Sequence, residues 1–302
     1  MSDVIGAPPI TLAGRVFPWG RRTYVMGVIN ASPESFSGDG ITDVRAAVEQ
    51  ALRFARQGAD IIDVGGQSTR PRYSAAVEST TDETAGVSGY EEIPVADEIE
   101  RVAPVIKAIT SEIDLPISVD TYKAPVAAAA IEAGAAMIND VWGLKRDASL
   151  ASVAAAHGAA LALMHNQENT QYTRLIPDII ASLRRSLAAA VAAGVPSERI
   201  IIDPGFGFGK TVAHNLEVLR RLREIRSALG RPLLLGTSRK STIGRVLNLL
   251  VDERLEGTAA TAAVGIANGA DIIRVHDVAE MTRVARMTDA VTRGPFGGAW
   301  NV

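Results

Sequence analysis

Polar side chains suited to a binding site recur at the ends of short apolar runs in this chain. Carboxylates and amides make directional hydrogen bonds, and arginine, lysine and histidine bind anions. Any one of these residues alone has an ordinary explanation as a turn or capping residue, because Asp and Asn are favoured there. Their repetition at successive runs is the signal: Asn30, Asp63, Asp120, Asn139, Asp140, His165, Asn166, Asp203, Ser238, Arg239, Lys240, Arg274 and His276.

The runs that carry these residues are typical of strands, and helical segments separate them. The strand-like runs lie at 24–30, 60–64, 116–120, 136–140, 160–165, 199–203, 232–236 and 271–276. Helical periodicity is found, for example, at 42–57, 95–113, 123–133, 176–193, 212–229 and 254–268, and again at 279–291. Nearly continuous apolar strands are typical of a parallel sheet that is covered on both faces.

The alternation predicts an α/β fold, a (β/α)8 TIM barrel. An open doubly wound sheet has the same alternation, but the units fill all 302 residues and no shift in composition marks a second domain. We therefore predict a single domain over 1–302, with a small N-terminal β-hairpin or plug over 1–23 and an extended active-site loop over 72–92. A barrel gathers the carboxyl ends of its strands at one rim, so the polar residues are expected to line one pocket.

The stretch RIIIDPGFGFGKT, 199–211, partly resembles a phosphate-binding P-loop. A P-loop requires a further glycine five positions before Gly209, and Pro204 occupies that position. Proline has no backbone N–H to offer a phosphate, so the match fails. We interpret the stretch as an active-site turn in which Asp203 ends a strand and glycines let the backbone approach a ligand closely.

The composition argues against several classes of function. A net charge of −3 argues against nucleic acid as the main partner. The chain has no cysteine and therefore no disulfide, thiolate metal site or cysteine nucleophile. No apolar run reaches the roughly 20 residues of a membrane span, and the N-terminus lacks the apolar core of a signal peptide. We predict a cytoplasmic protein with neither nucleic-acid nor membrane partners.

Motifs along nearly the whole chain resemble those of the dihydropteroate synthase family. They are MGVINASPESFSGDG (26–40), DIIDVGGQSTRP (60–71), ISVDTYK (117–123), MINDVWG (137–143), IIDPGFGFGKT (201–211), GTSRKS (236–241) and GTAATAAVGIANGADIIRVHD (257–277). They occur in order, one for each of several strand ends, which makes the resemblance far more specific than one glycine motif.

The resemblance implies a barrel transferase of folate synthesis and a target of sulfonamides. The enzyme would condense 6-hydroxymethyl-7,8-dihydropterin diphosphate with p-aminobenzoate, release diphosphate with the help of Mg²⁺, and form a homodimer. The implied catalytic residues are Asn30, Asp120, Asp203, Lys240, Arg274 and His276, with Asn30 also a metal ligand. The implied substrate-binding residues are Thr69, Arg70, Pro71, Asp120, Asn139, Met164, Asp203, Phe208, Lys240, Ser241, Arg274 and His276.

These implied roles agree with the chemistry of the side chains. A pterin ring presents N–H donors and a carbonyl, which Asp120, Asn139 and Asp203 would match, with Lys240 at the carbonyl. An unmatched buried donor costs about 1–3 kcal/mol, so such a pocket rejects rings with the wrong edge. Asn30, Arg70, Arg274 and His276 would hold the diphosphate, and Thr69, Pro71, Phe208 and Ser241 would lie near the aminobenzoate. Met164 would pack against the pterin, and His165 has no assigned role.

Several loops depart from the usual family pattern. The first loop reads SFSGDG where SFSDGG is common, which displaces Asp39 by one position. Gln67 stands where Glu is common, Arg72 where Gly is common, and a long polar insert follows at 73–92. After the fifth run the chain reads MHNQEN in place of MHMRG. None of these changes falls on an expected pterin contact.

Three other functions share part of this pattern. One is a paralogue that keeps the pterin-binding barrel without synthase activity, and another is a pterin-dependent methyltransferase domain. The third is a pterin-binding protein that is not an enzyme. The GTSRKS and RVH motifs favour the synthase over the methyltransferase, and the expected anion site of Arg70, Arg274 and His276 argues against a simple binder.

Overall fold

The computed structural model describes residues 7–32, 40–41, 43–68, 72–73, 87–88 and 92–294. The strands, in chain order, are β1 (Ile10–Leu12), β2 (Arg15–Phe17), β3 (Tyr24–Asn30), β4 (Ile61–Gly65), β5 (Arg72–Tyr73), β6 (Val87–Ser88), β7 (Ile117–Asp120), β8 (Met137–Asp140), β9 (Ala160–Met164), β10 (Ile200–Asp203), β11 (Leu234–Leu235) and β12 (Ile272–Val275).

The α-helices lie between and after the barrel strands. They are α1 (Val44–Gln57), α2 (Val95–Glu112), α3 (Ala124–Glu132), α4 (Leu150–His157), α5 (Leu175–Ala192), α6 (Val212–Arg220), α7 (Leu222–Leu229), α8 (Ser241–Leu247), α9 (Leu255–Ala267) and α10 (Val278–Arg293). None of the helices in the described part of the chain is long and apolar enough to cross a lipid bilayer.

Eight parallel strands form the central sheet, in the order β10-β9-β8-β7-β4-β3-β12-β11. A parallel bridge between Ile202 and Leu233 joins the two ends of this order. The Ile202 N–H also donates to the carbonyl of Pro232 at 3.0 Å. The sheet thus closes on itself, which confirms the predicted barrel and rules out the open doubly wound sheet. The seam of closure is short, because β11 contains only two residues.

A small antiparallel hairpin, β1 paired with β2, covers the N-terminal end of the barrel. Its buried Ile10, Leu12 and Phe17 belong to one apolar cluster with Met26 and Ile61 of the barrel strands. Burial of this kind contributes about 25 cal/mol per Å² of apolar surface, so the hairpin stabilises the closed end. The predicted N-terminal hairpin is therefore confirmed, and the opposite rim is left for a site.

Local sequence signals explain where the elements begin and end. Helix α1 follows Asp43, whose carboxylate accepts the N–H groups of Arg45 and Ala46, and it ends at Gly58 with a left-handed φ of 96°. Every strand-like run of the sequence contains a barrel strand. The structure adds the short helices α4 and α8 to the predicted ones, and it places the β5–β6 pair within the predicted loop 72–92.

The loop after β10 depends on three glycines in the left-handed region. Gly205, Gly207 and Gly209 have φ values of 71°, 83° and 54°. A Cβ on Gly205 would lie 1.8 Å from the carbonyl oxygen of His165, and one on Gly209 would lie 2.5 Å from that of Gln167. The sequence predicted a close approach of this backbone to a ligand, and the structure shows a close approach to the neighbouring loop of the barrel.

We predict that Gly205→Ala destabilises the fold far more than a glycine substitution with the same backbone conformation in open space. Gly14, at φ 77°, has nothing within 4 Å of a built Cβ and is the matched control. Gly14→Ala is expected to cost about 1 kcal/mol from backbone strain alone, and Gly205→Ala at least about 3 kcal/mol because its methyl group also overlaps a carbonyl. Urea unfolding measures both, and equal losses would contradict the prediction.

Candidate active site

A largely buried arginine joins two carboxylates at the open rim of the barrel. Arg274, on β12, places Nε 2.6 Å from Oδ2 of Asp63 and Nη2 2.7 Å from Oδ2 of Asp120. Asn139 donates from Nδ2 to the same Asp63 oxygen at 3.2 Å. Burial alone would lower the pKa of Arg274, but Asp63 and Asp120 outweigh it and raise that pKa above its ordinary value. The arginine is therefore a permanent cation in this site.

Asp203 and Lys240 both hold the loop that follows β10. Asp203 accepts the Gly205 N–H on Oδ1 at 2.7 Å, and Lys240 donates from Nζ to the carbonyl of Phe206. The aliphatic part of Lys240 passes over Gly207, where a Cβ would come within 2.8 Å of Cδ. The loop is thus fixed at its start by a carboxylate and over its middle by a lysine from the next βα loop.

The charge state of Asp203 depends on its neighbours. Burial raises the pKa of this carboxyl, and the charges of Lys240, Lys210 and Arg274, together with the Gly205 N–H, oppose that increase. Desolvation disfavours an isolated carboxylate, whereas nearby cations favour it. The cations at the rim therefore keep Asp203 closer to its ionised form than burial alone would allow.

Gly236 lies between the arginine and the lysine. A Cβ built on it would be 3.8 Å from Cβ of Arg274 and 3.8 Å from Nζ of Lys240. The strand register also sets Asp120 opposite Asn139, and Asp203 opposite Met164. The structure therefore brings together on one rim six of the predicted site residues: Asp120, Asn139, Met164, Asp203, Lys240 and Arg274.

A second lysine lies buried beneath the same loop. Lys210 donates from Nζ to the carbonyls of Gly205 at 3.0 Å and Phe208 at 3.1 Å, and Nδ1 of His165 is 3.0 Å away. Burial lowers the pKa of Lys210 well below its usual range, although Asp203 opposes the shift. Burial and the lysine charge lower the pKa of His165 to about 2. His165 is therefore neutral and accepts the lysine's hydrogen bond.

His276 is held in place by a serine of the preceding βα loop. Its Nδ1 lies 2.8 Å from Oγ of Ser238, and its backbone N–H donates to the same oxygen at 3.2 Å. Arg239, beside Ser238 in the sequence, makes a two-point ion pair with Asp277 at 2.5 and 3.0 Å. The arginine of the GTSRKS motif thus fixes the loop and the end of β12 to one another.

An apolar cluster forms one wall beside the lysine. The ring centroid of Phe208 is 4.6 Å from Nζ of Lys240, a distance at which a cation attracts an aromatic face. Met164 lies in the same cluster and is buried. The cluster consists of Tyr122, Val141, Trp142, Met164 and Phe208. A flat heteroaromatic ring fits the chemistry of such a wall.

The remaining predicted residues are placed only in part. Asn30 ends β3, its side chain is partly buried, and its carbonyl accepts the Ile41 N–H at 2.8 Å. Ser241 begins α8 directly after Lys240. Thr69, Arg70 and Pro71 lie outside the described residues. Within the described ranges, no group of three or more His, Cys, Asp or Glu side chains is arranged to hold a metal ion.

Gln67, one of the departures from the family pattern, takes part in a buried polar network. Its Oε1 accepts from Nζ of Lys123 at 2.8 Å, and the same ammonium lies 2.8 Å from Oε2 of Glu98. Glu98 also accepts the hydroxyl of Thr121 at 2.8 Å. The amide oxygen therefore still accepts from a lysine, while Glu98 supplies the negative charge. Asp39, the other displaced residue, lies outside the described residues.

Two residues of this site were not among the predicted site residues. Asp63 showed the same strand-end signal as the others, but no role was assigned to it; its Oδ1 has no hydrogen-bond partner in the described part of the chain. Lys210 entered the sequence analysis only as the lysine of a rejected P-loop. No local signal shows that a lysine will fold back beneath its own loop, because its partner His165 is 45 residues away.

The chain matches known proteins over most of its length. The family model described as "Pterin binding enzyme" matches residues 26–276. Dihydropteroate synthase of Clostridium beijerinckii is 49% identical over 284 residues, which cover 93% of this chain and 99% of that protein.

Two solved structures are similar in both fold and sequence. The structure of dihydropteroate synthase from Clostridium difficile in the presence of pteroic acid superposes with a TM-score of 0.81 at 46% identity, covering 91% of this chain and 98% of that one. The Xanthomonas albilineans enzyme in complex with 7,8-dihydropteroate gives 0.80 at 35% identity, covering 95% and 100%. With the motifs at the rim, these matches show that the chain belongs to the dihydropteroate synthase family of transferases.

Proposed function

We propose that this chain condenses 6-hydroxymethyl-7,8-dihydropterin diphosphate with p-aminobenzoate, giving 7,8-dihydropteroate and diphosphate. The observation that carries the proposal is the composition of one rim. Buried acceptors and an amide lie beside permanent cations and an apolar wall. A pterin needs the buried acceptors and the amide, a departing diphosphate needs the cations, and flat rings need the apolar wall. The relatives' complexes with pteroic acid and 7,8-dihydropteroate support the same substrates.

The pterin is held by its hydrogen-bonding edge in this proposal. Asp120, Asn139 and Asp203 accept or donate along the edge, and Lys240 binds the ring carbonyl. Asn139 already donates to Asp63, which fixes the direction of its amide and leaves its oxygen for a donor on the ring. A preorganised polar edge of this kind discriminates strongly, since a mismatched ring leaves buried groups unpaired.

The diphosphate leaves toward the cations of β12. Arg274 uses Nε and Nη2 for its two carboxylates, and its Nη1 makes no hydrogen bond to any described residue, so Nη1 can donate to an anion. His276, Asn30 and Arg70 complete the proposed anion site. The reaction is dissociative: the C–O bond to diphosphate breaks first, and the amine of p-aminobenzoate then attacks the pterin cation and loses a proton. Fixed positive charge at the leaving group lowers the barrier without a protein nucleophile.

Magnesium fits the donors at this rim only together with the substrate. Mg²⁺ prefers oxygen ligands and keeps several waters, and Asn30 offers one amide oxygen at the end of β3. The described residues contain no carboxylate cluster that could hold the ion. The substrate's phosphate oxygens would therefore supply most of the ligands that do not come from the protein. When bound, the ion would neutralise charge on the leaving diphosphate.

The aminobenzoate would lie against Phe208 and Ser241, with Thr69 and Pro71 from the second loop closing the pocket. We also propose a homodimer built on the last helices. Large apolar side chains are exposed there, among them Val264 of α9, at 43%, and Met287 of α10, at 66%. Exposed apolar groups concentrated on neighbouring helices favour association. The cytoplasmic location stays a prediction.

We predict that Met287→Glu gives a monomer, whereas the unchanged chain has twice the mass of one chain. Val16→Glu is the matched control, since Val16 is also exposed but lies on the hairpin at the closed end. Sedimentation equilibrium measures the mass. A monomeric wild type, or a dimer that survives Met287→Glu unweakened, would contradict this interface.

We expect purified protein to form 7,8-dihydropteroate from the two substrates in the presence of Mg²⁺. Product formation is expected to stop when a chelator removes the ion. Asp203→Asn is expected to lower kcat/KM for the pterin substrate about 100-fold, because one buried acceptor becomes a donor. Asp289→Asn is the control, since Asp289 is also buried but binds Thr23 at the closed end of the barrel. No product from the wild type would reject the proposed function.

We predict that Arg274→Gln loses both stability and affinity for the diphosphate substrate. Removing the cation leaves the fully buried Asp63 unpaired, which costs about 3–5 kcal/mol. The control is Arg226→Gln, which breaks another buried ion pair, from Arg226 to Asp271 at 3.0 Å, at the closed end. Chemical unfolding is expected to show a loss in both variants, and KM for the pterin diphosphate is expected to rise only in Arg274→Gln. A similar rise in both would contradict a role in anion binding.

A further inference from the structure

We propose that Lys210 is a positioning residue for pterin recognition. Its buried ammonium holds the loop after β10 in shape and supplies positive charge beside Asp203, so that this carboxylate accepts the N–H groups of the ring. The inference rests on the proposed function, because Asp203 matters here as an acceptor for the pterin. Lys210 itself contacts other parts of the protein and acts through Asp203.

The hydrogen bonds of Lys210 satisfy the whole ammonium group. An ammonium has three donors, and Nζ has acceptors at 3.0, 3.0 and 3.1 Å: Nδ1 of His165 and the carbonyls of Gly205 and Phe208. The two carbonyls flank Phe206, whose own carbonyl accepts from Lys240. The two lysines together therefore hold three carbonyls of one loop, those of Gly205, Phe206 and Phe208.

The third acceptor ties this loop to the neighbouring strand. His165 follows β9 and is buried, and its ring accepts on Nδ1 only in the neutral form with a proton on Nε2. Burial and the charge of Lys210 lower the pKa of His165 to about 2, so the ring stays neutral throughout the physiological range. The imidazole is thus a fixed acceptor, and it is not a proton carrier in this arrangement.

The charge of Lys210 depends on Asp203 as well as on these hydrogen bonds. Lys210 is only 5% exposed, and a buried ammonium is costly unless an opposite charge compensates it. Asp203 favours the charged form of Lys210, whereas Lys240 and Lys145 oppose it. In return Lys210 acts on Asp203 together with Lys240 and Arg274. Asp203 therefore stabilises the charged form of Lys210 against its burial, and the lysine charge in turn favours the ionised form of Asp203.

The test compares Lys210→Met with wild type by calorimetric titration with 6-hydroxymethylpterin between pH 5 and pH 9. Affinity falls as the pH drops through the raised pKa of Asp203, because the protonated carboxyl accepts fewer hydrogen bonds. Loss of a neighbouring cation raises this pKa further. We expect the midpoint of this fall to move up by about one pH unit, so that the Kd at pH values below the wild-type midpoint rises about tenfold.

A double-substitution cycle separates this effect from simple loosening of the loop. In an Asp203→Asn background, Lys210→Met is expected to change the Kd less than about threefold, since no carboxylate remains to respond. Lys145→Met is the matched control, because that ammonium donates to the carbonyl of Asn166 in the neighbouring loop. It is expected to leave the pH dependence unchanged.

Two outcomes of these titrations would contradict the role of Lys210. An unshifted pH dependence, or an equal loss of affinity with and without Asp203, would overturn the proposal. If circular dichroism shows that Lys210→Met does not fold, Lys210→Gln, which keeps a donor but no charge, is expected to give the same shift, and its absence would overturn the proposal equally. A wild type that does not bind the pterin would reject the proposed function itself, whereas binding without a shift would reject only the role of Lys210.

Discussion

The site depends on one largely buried ion triad, Arg274 between Asp63 and Asp120. None of the three charges is tolerable alone in a protein interior, because each loses its hydration there. Together they compensate one another at 2.6 and 2.7 Å. The three residues come from distant positions in the chain, so the triad forms only when the strands are in register around the barrel. Correct register of the adjacent strands β7, β4, β3 and β12 and a correctly charged rim are therefore the same structural event.

The rim has two electrically different halves that meet at Gly236. On one side, two carboxylates share a single arginine; on the other, one carboxylate lies among lysines. A substrate that combines a donor-rich ring with an anionic leaving group requires both kinds of surface within a few ångströms of each other. Gly236 adds no side chain at this junction, where a Cβ would lie 3.8 Å from both Cβ of Arg274 and Nζ of Lys240.

The sequence predicted well those features that depend on residues close together in the chain. A β-branched run that ends in a polar residue identifies both a strand and its carboxyl end, which is why Asp120, Asn139 and Asp203 were found with the barrel. Local patterns carry less about which side chains pair across the fold. Asp63 looked like any other strand end, and its partner Arg274 lies 211 residues away. Lys210 was considered only for a motif that it does not belong to, since its buried environment arises from packing between two loops.

Short helices and loop glycines show the same limit. Helices α4 and α8 have too few turns for a clear periodic pattern, although Gly158 and Asn248 end them in the left-handed conformation. The glycines of the 203–211 stretch predicted an unusual backbone conformation. The groups that approach them most closely, the carbonyls of His165 and Gln167, belong to the segment that follows the adjacent strand β9. The rest of the predicted substrate pocket depends on the second loop, whose Thr69, Arg70 and Pro71 lie outside the described residues.

The short seam between β10 and β11 connects the stability of the closed barrel to ligand binding at its rim. Asp203 lies at the end of β10, and Lys240 lies in the loop that follows β11. A molecule bound to both residues would therefore span the seam. Anything that binds the closed state in preference to the opened one adds to the work of opening it. The proposed contacts of the substrate with both residues would therefore stabilise the closed barrel against opening at this seam.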